Sequence, residues 1–350
     1  MEGLSYQEEQ ITEQKKILKQ WFPFSRIGLF YFSILVGNNL LALIVAGAIL
    51  LYLTIRATIL GGATDIMAIS QSVNAMLMEN LALIMLISYA ITVPLSMLIV
   101  KSTPTYKDFP KEKWKISKLL LLLMISIGVM MAGNIISLMG QGLVTLVTGH
   151  EMSNPLNAIL NDDNIIGGIV MVVLIAPIIE EFLFRKVLLD RVRIYGDRVA
   201  ILLSGILFGL FHGNLFQVVY ATMLGMVLAY VYLKTKRISY CIGLHMLINI
   251  IGGVLPLLLY QGIDLDAIND MQEIMHVAPQ LVGISMILIL EIACMIASIV
   301  VFIQFRKRLV LSPAIIEIEK GTRFKTICLN VGMILLFAIS MVTFIINAMA

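Results

Sequence analysis

Residues 165–189 read IIGGIVMVVLIAPIIEEFLFRKVLL, and this stretch is the most informative about the fold. At ~1.5 Å per helical residue, the run is long enough to cross the ~30 Å hydrocarbon core of a membrane. Four charged residues, Glu180, Glu181, Arg185 and Lys186, nevertheless lie within it. Because a charge inside a bilayer is costly, the stretch predicts a transmembrane helix whose charges bind one another or perform a function.

Similar apolar runs fill most of the chain. Apolar residues make up 59% of its 350 residues and charged residues 13%, and the charged share is about half that of a soluble protein. Helices satisfy their own backbone groups, which lipid cannot do. We therefore predict an all-α integral membrane protein, a polytopic bundle of about nine transmembrane helices with eight as the lower limit. The nine runs are Ile27–Leu53, Ala75–Val100, Leu119–Val147, Ile165–Leu189, Val199–Leu215, Phe216–Leu233, Ile238–Leu259, Leu281–Ile303 and Thr326–Ala348.

The basic residues predict how this bundle is oriented. When loops are assigned alternately to the two sides, Arg56 is the only one of the 25 Lys and Arg residues on its side. Loops rich in Lys and Arg face the cytoplasm. The expected location is the cell membrane, with the N-terminus cytoplasmic and the C-terminus extracytoplasmic. The net charge of +3 is too small to suggest a nucleic-acid partner, so the lipid bilayer is the expected surrounding.

The fourth run separates its charges by helix face. Adjacent helical residues diverge by about 100°, so Glu180 and Glu181 are expected not to face the same partner. Arg185 follows Glu181 by one helical turn, which favours an ion pair between these two. Glu180 then has no local cation and is free to act as a base. Pro177 is expected to kink the helix and loosen the backbone pairing near it.

The fifth run, around Val199–Leu215, combines small residues with a histidine. Gly205, Gly209 and Gly213 recur every four residues and predict a seam for close helix contact. His212 adjoins this seam, and Phe208 lies one turn earlier on the same face. By itself the histidine is equally consistent with a hydrogen-bonded packing residue.

The seventh run carries His245 and Asn249, which project from one helix face because they are four residues apart. Such a pair can hold a water, a carbonyl oxygen or a metal, or join two helices. Counting inward at ~1.5 Å per residue from the nearest cytoplasmic basic residue, which is Arg191, Arg198 or Arg237, places Glu181 ~15 Å, His212 ~21 Å, His245 ~12 Å and Asn249 ~18 Å deep. The polar residues of three helices are thus expected at a similar level of the membrane.

These three motifs resemble those of the CPBP family, the CAAX-protease and bacteriocin-processing intramembrane peptidases related to type II CAAX prenyl endopeptidases. The family pattern is Glu-Glu-x-x-x-Arg, then Phe-x-x-x-His, then His-x-x-x-Asn. The chain matches it at Glu180–Arg185, Phe208–His212 and His245–Asn249, in order. The resemblance covers roughly residues 165–255.

The resemblance implies hydrolysis of a peptide bond in a membrane-associated peptide or protein. It implies a catalytic set of Glu180, Glu181, His212, His245 and Asn249. Glu180 would activate water, the two histidines would orient that water or bind the ligand, and Asn249 would help to stabilise the oxyanion. Arg185, with Glu181, and Phe208 would support these groups.

Whether the reaction needs a metal is left open by the sequence. Two histidines and a carboxylate, here His212, His245 and Glu180, can bind zinc with one position open. A glutamate mechanism without metal is the alternative that the resemblance also allows, and an HExxH motif is absent from the sequence. Zinc is therefore an option for the cofactor and not a firm expectation.

Two other functions remain as alternatives. One is a membrane immunity or regulatory scaffold that keeps the fold and acts by binding. The other is a secondary transporter that relays protons through its intramembrane acids, although paired inverted repeats are not visible. Glu79 and Glu291 lie outside the motifs and receive no role.

The resemblance also suggests a domain organisation. We predict a cytoplasmic amphipathic segment at residues 1–26 and a three-helix membrane extension at 27–163. The catalytic core would follow at 164–258, and a two-helix membrane extension at 259–350.

Overall fold

The computed structural model describes residues 21–59, 66–106, 111–149, 165–261 and 271–349, together with Met152 and Ile263. Within these ranges the regular structure is entirely helical, as predicted. Short 3-10 turns precede α10 and follow α9. The helices are α1 Trp21–Ile59, α2 Ile66–Glu79, α3 Leu81–Val100, α4 Ile116–Thr148, α5 Ile165–Tyr195, α6 Asp197–Phe211, α7 Val218–Thr235, α8 Ile238–Tyr260, α9 Met271–Phe305, α10 Arg323–Cys328 and α11 Val331–Met349.

Eight of these helices are long and apolar enough to cross a membrane, which confirms a polytopic membrane protein. The one predicted crossing that is not among these eight is the fifth, Val199–Leu215, which corresponds to α6 with 15 residues. At ~1.5 Å per residue α6 is ~22 Å long and falls short of a full crossing by itself.

Several predicted boundaries differ from the observed ones. The predicted run Ala75–Val100 is divided at Asn80, whose backbone leaves the helical conformation between α2 and α3. The last predicted run, Thr326–Ala348, is likewise interrupted between α10 and α11. Both interruptions lie next to asparagine, Asn80 and Asn330, whose side chains donate hydrogen bonds to nearby backbone carbonyls. The N-terminal segment predicted before the first run lies mostly outside the described residues, and the domain boundaries stay predictions.

The chain forms two compact units, and the first contains α1 to α3 with α10 and most of α11. In it α1 packs along α3, where the Ser33 hydroxyl donates to the Ser96 hydroxyl at 2.7 Å. On another face α1 crosses α11 closely, because a side chain at Gly28 would overlap the Gly332 backbone. Small residues and interhelical hydrogen bonds hold helices together where no hydrophobic effect does so.

The second unit contains α4 to α9 and all the residues of the three motifs. Helix α4 contacts α7, α8 and α9, while α6 and α7 form an antiparallel hairpin. A side chain at Gly209 would meet Val218 and Thr222 of α7, and one at Gly205 would meet Thr222 and Met226. The predicted glycine seam is therefore present at these two positions.

The third glycine of the predicted seam, Gly213, has a different role. Helix α6 ends at Phe211, and Gly213 follows in the turn with φ of +65°. Residues with side chains rarely adopt this conformation, so the glycine allows the chain to reverse towards α7. The prediction was wrong for Gly213 because the helix ends before it.

Two membrane helices of this unit contain wide π-helical turns, Met171–Ile175 in α5 and Ile250–Val254 in α8. Each wide turn lies just before a proline, Pro177 or Pro256. Proline has no backbone N–H and its ring clashes with the carbonyl of the preceding turn, so the helix widens there. A third wide turn, Phe182–Leu189, begins directly after the two glutamates.

Candidate active site

A buried ion pair forms the centre of the cluster. The Arg185 guanidinium donates to the Glu181 carboxylate at 2.7 and 3.3 Å, and both side chains are 0% exposed. The i to i+4 ion pair predicted from the sequence is therefore confirmed. Arg185 also donates to the Ser204 hydroxyl of α6 at 2.6 Å. This bond joins α5 to α6, so the buried charge is held by two helices.

His245 of α8 lies between the two glutamates of α5. Its Nδ1 is 3.0 Å from Glu181 Oε1, and its Nε2 is 3.8 Å from Glu180 Oε2. The expectation that the two glutamates face different partners was wrong. An imidazole has two nitrogens on different edges, so one ring can meet side chains that leave the helix in different directions.

The hydrogen bond to Glu181 determines which nitrogen of His245 carries a proton. A carboxylate paired with Arg185 can only accept, so Nδ1 of His245 must donate to it. In the neutral imidazole the lone pair then lies on Nε2, the nitrogen that faces Glu180. At 3.8 Å these two groups do not form a direct hydrogen bond. They are instead placed to bind one small polar group together.

His212 follows the last residue of α6 and is tied to its own helix. Its Nδ1 lies 2.8 Å from the Phe208 carbonyl oxygen, which can only accept, so Nδ1 donates. The lone pair of the neutral ring is then on Nε2. The Phe208 ring lies between the two histidines, with centroids 5.0 Å from His212 and 5.6 Å from His245. The aromatic ring thus holds both imidazoles near each other without a hydrogen bond between them.

Asn249 lies one turn after His245 on α8, as predicted, but it binds the backbone of α5. Its Nδ2 donates to the Val172 carbonyl at 2.8 Å. The structure therefore brings together Glu180, Glu181, Arg185 and His245 directly. His212 is connected to this group only by the Phe208 ring, which contacts both histidines. Asn249 forms a second contact between α5 and α8.

Four residues at or near the site were not found by reading the sequence. The Ser204 hydroxyl accepts a hydrogen bond from Arg185. Ser204 lies one helical turn before Phe208, so this spacing in the sequence could have placed it on the same helix face as the motif. Asn214 donates to the His212 carbonyl at 2.9 Å and to Gln217 at 2.7 Å, and Gln217 in turn donates to the Tyr220 hydroxyl at 2.9 Å. These bonds hold the turn that follows His212.

The two other glutamates that the sequence places in apolar runs, Glu79 and Glu291, lie apart from the motifs. Glu79 is exposed at the end of α2. Glu291 is buried on α9, and its Oε1 would lie 3.5 Å from a side chain added at Gly252, three residues beyond Asn249.

The donor set does not match a metal centre in the part of the chain that the structure describes. Within those residues, no three His, Cys, Asp or Glu side chains are grouped so that they could hold a metal ion. Glu180 and His245 converge, and His212 keeps the lone pair of its Nε2 because its Nδ1 donates to a carbonyl. Zinc stays an untested option, and no chemical step is assigned to it.

Comparisons with known proteins point to the same segment. Residues 162–251 match the family described as type II CAAX prenyl endopeptidase Rce1-like. A curated relative from Bacillus subtilis (strain 168), named "Putative membrane peptidase YdiL", is 30% identical over 129 residues. That alignment covers 34% of this chain and 51% of the relative, so the chain spans about half the relative's length. No solved structure matches. The resemblance to the CPBP family is confirmed for this segment, which contains all three motifs.

Proposed function

We propose that the protein is an intramembrane endopeptidase that hydrolyses a peptide bond in a membrane-associated peptide or protein. The observation that supports this most directly is the placement of Glu180 against the Nε2 of His245, at 3.8 Å. His245 is held from its other side by a glutamate that is itself bound to an arginine. A base and an acceptor held this rigidly can orient a water for attack.

In the proposed reaction, Glu180 accepts a proton from a water while Nε2 of His245 accepts that water's other hydrogen as a hydrogen bond. The water oxygen forms a bond to the carbonyl carbon of the substrate, and the carbonyl oxygen becomes an oxyanion. Collapse of this intermediate breaks the carbon–nitrogen bond. The leaving amine takes the proton from Glu180, which restores the carboxylate and yields one acid and one amine.

The remaining residues have supporting roles in this proposal. His212 presents the Nε2 lone pair and can accept an N–H from the substrate backbone or from water. Phe208 holds both imidazoles, and Glu181 with Arg185 fixes the proton of His245 on Nδ1. The resemblance assigns Asn249 to the oxyanion, a role that would use the amide hydrogen not donated to Val172.

The decisive experiment replaces the proposed base. In a strain that lacks the gene, membrane peptides are compared after expression of the wild type, Glu180→Gln and Glu79→Gln. Loss of a positioned general base is expected to slow cleavage by about 10² to 10⁴-fold. Glu79→Gln is a matched control, because it makes the same substitution at an exposed position outside the site.

Cleavage products that persist with Glu180→Gln at the wild-type level would refute the assignment. A phenotype that is rescued equally by both variants, without any cleavage, would favour the binding scaffold. Purified protein with added chelator or zinc tests the metal option separately.

A further inference from the structure

The wide turn in α5 leaves one backbone carbonyl without its usual helical donor. In an α-helix the Val172 carbonyl would accept from the N–H of Ala176. Here the N–H of Ala176 donates to Met171 instead, as in a π-helical turn. The next N–H in that wider pattern would belong to residue 177, which is proline and has none. The Val172 carbonyl therefore has neither its α-helical nor its π-helical donor.

Asn249 supplies the donor that the helix lacks. Its Nδ2 donates to the Val172 carbonyl at 2.8 Å, across from α8 to α5. A backbone carbonyl inside a membrane has no water to bind and is costly to leave unsatisfied. Pro177 thus removes one donor to the Val172 carbonyl, and Asn249 provides another.

This contact lies on the same two helices as the proposed base and its partner. Helix α5 carries Val172 and, two turns later, Glu180, while α8 carries Asn249 and, one turn earlier, His245. The hydrogen bonds Asn249–Val172 and His245–Glu181 thus connect α5 to α8 at two levels, and Glu180 lies beside the second. Because Glu180 follows Val172 on the same helix, a change in the shape of α5 around an unsatisfied Val172 carbonyl would move Glu180 away from His245.

We infer that Asn249 is a positioning residue, which binds the Val172 carbonyl left open by Pro177 and thereby keeps α5 in the shape that places Glu180 beside His245. This inference rests on the proposed function, and it differs from a direct role at the oxyanion. A residue that only fills an open carbonyl becomes dispensable when the backbone provides its own N–H. A residue that binds the oxyanion does not.

The difference is tested by restoring the missing N–H. Pro177→Ala gives residue 177 a hydrogen that can reach the Val172 carbonyl. Cleavage is measured for Asn249→Ala and for the double variant Asn249→Ala/Pro177→Ala, with kcat and KM determined separately. Misplacing a catalytic group by about 1 Å costs on the order of a hundredfold in rate. We expect Asn249→Ala to lower kcat by about that factor with KM nearly unchanged, and Pro177→Ala to restore most of the loss.

Pro256→Ala is the matched control. It removes the equivalent proline after the wide turn of α8 and leaves the Val172 carbonyl unsatisfied. The double variant Asn249→Ala/Pro256→Ala should be no more active than Asn249→Ala. If Pro177→Ala is active by itself yet gives no rescue of Asn249→Ala, then Asn249 acts directly at the reaction and the inference is wrong.

A second measurement, hydrogen exchange, does not require peptidase activity. It therefore tests the positioning role of Asn249 separately from the proposed function. Hydrogen exchange of the backbone amides of residues 173–181 reports whether α5 keeps its local hydrogen-bonded shape after Val172. We expect faster exchange in Asn249→Ala, unchanged exchange in Glu180→Gln, and wild-type exchange when Pro177→Ala is added to Asn249→Ala. Unchanged exchange in Asn249→Ala would overturn the positioning role even if the protein is a peptidase. The expected exchange pattern in a protein without peptidase activity would instead refute only the proposed function.

Discussion

Arg185 shows at the residue scale how this protein keeps charges inside a membrane helix. Its guanidinium binds the Glu181 carboxylate and the Ser204 hydroxyl, and none of its surface is exposed. Glu181 in turn accepts from His245, so one cation indirectly determines the proton position on a proposed catalytic imidazole. The network stabilises the fold more than a single ion pair would, because each side chain orients the next.

Removal of Arg185 is therefore expected to lower stability as well as activity. Arg185→Ala leaves a buried carboxylate without its cation, which costs about 3–5 kcal/mol. The neighbouring Lys186→Ala is the control, because Lys186 binds Asp190 at 2.6 Å in the same i to i+4 arrangement but is 49% exposed. Asp190 is buried but also accepts from the Tyr232 hydroxyl, and water screens its half-exposed cation, so removal of Lys186 is expected to cost less than removal of Arg185.

Thermal unfolding of the purified variants in detergent measures the difference. We expect a clearly lower midpoint for Arg185→Ala and a smaller decrease for Lys186→Ala. Equal midpoints for the two variants would contradict the buried network.

At the scale of elements, the α6–α7 hairpin carries His212 to its place. The two helices approach closely because Gly205 and Gly209 have no side chains at the contact. The hairpin then closes through the turn at Gly213, whose positive φ allows the reversal after His212. Helix α6 is short because the chain reverses at residues 212–213, where a longer helix would continue.

A methyl group at Gly209 is expected to separate the two helices. It would lie 2.5 Å from the Val218 carbonyl oxygen, which belongs to the backbone and cannot move aside without the whole helix. Overpacking of this kind costs about 1–3 kcal/mol. Gly209→Ala should lower the unfolding midpoint and also displace His212, so cleavage should fall.

Gly243→Ala on α8 is the control for this substitution, because nothing lies within 4 Å of the added methyl group. Its unfolding midpoint and activity should match those of the wild type. If the two glycine variants behave alike in both measurements, close packing of α6 on α7 is not what positions His212.

At the scale of the whole molecule, three segments predicted to be cytoplasmic meet within the second unit. Asp197, at the start of α6, binds Lys234 at the end of α7 at 3.1 Å. It also accepts the Ser312 backbone N–H, beyond the end of α9, at 2.7 Å. The start of α6 and the end of α7 therefore lie on one side. For this reason the short length of α6 leaves the expected sides of the termini unchanged.

The orientation is tested by cysteine labelling in intact cells. Cys241, Cys294 and Cys328 are first replaced by alanine, and single cysteines are then placed at Lys111 and Arg56, which are both exposed. An impermeant maleimide should label the cysteine at position 56 from outside and the one at 111 only after permeabilisation. Labelling of position 111 in intact cells would reverse the predicted topology.

The sequence by itself determined the class of protein, the positions of most of its membrane helices and the residues that carry the charge cluster. These features depend on local properties: apolar runs of membrane length, and the i to i+4 spacing that brings Glu181 to Arg185. The three motifs, read together, also indicated the segment that resembles the peptidase family.

Only the tertiary structure decided which groups meet across helices. His245 lies between both glutamates, Ser204 accepts from Arg185, and Asn249 binds the Val172 carbonyl instead of pointing to a free site. Each contact depends on the rotation and translation of one helix against another. These in turn depend on wide turns that shift the register of α5 and α8, and a helical pattern in the sequence assumes a regular 3.6-residue turn throughout.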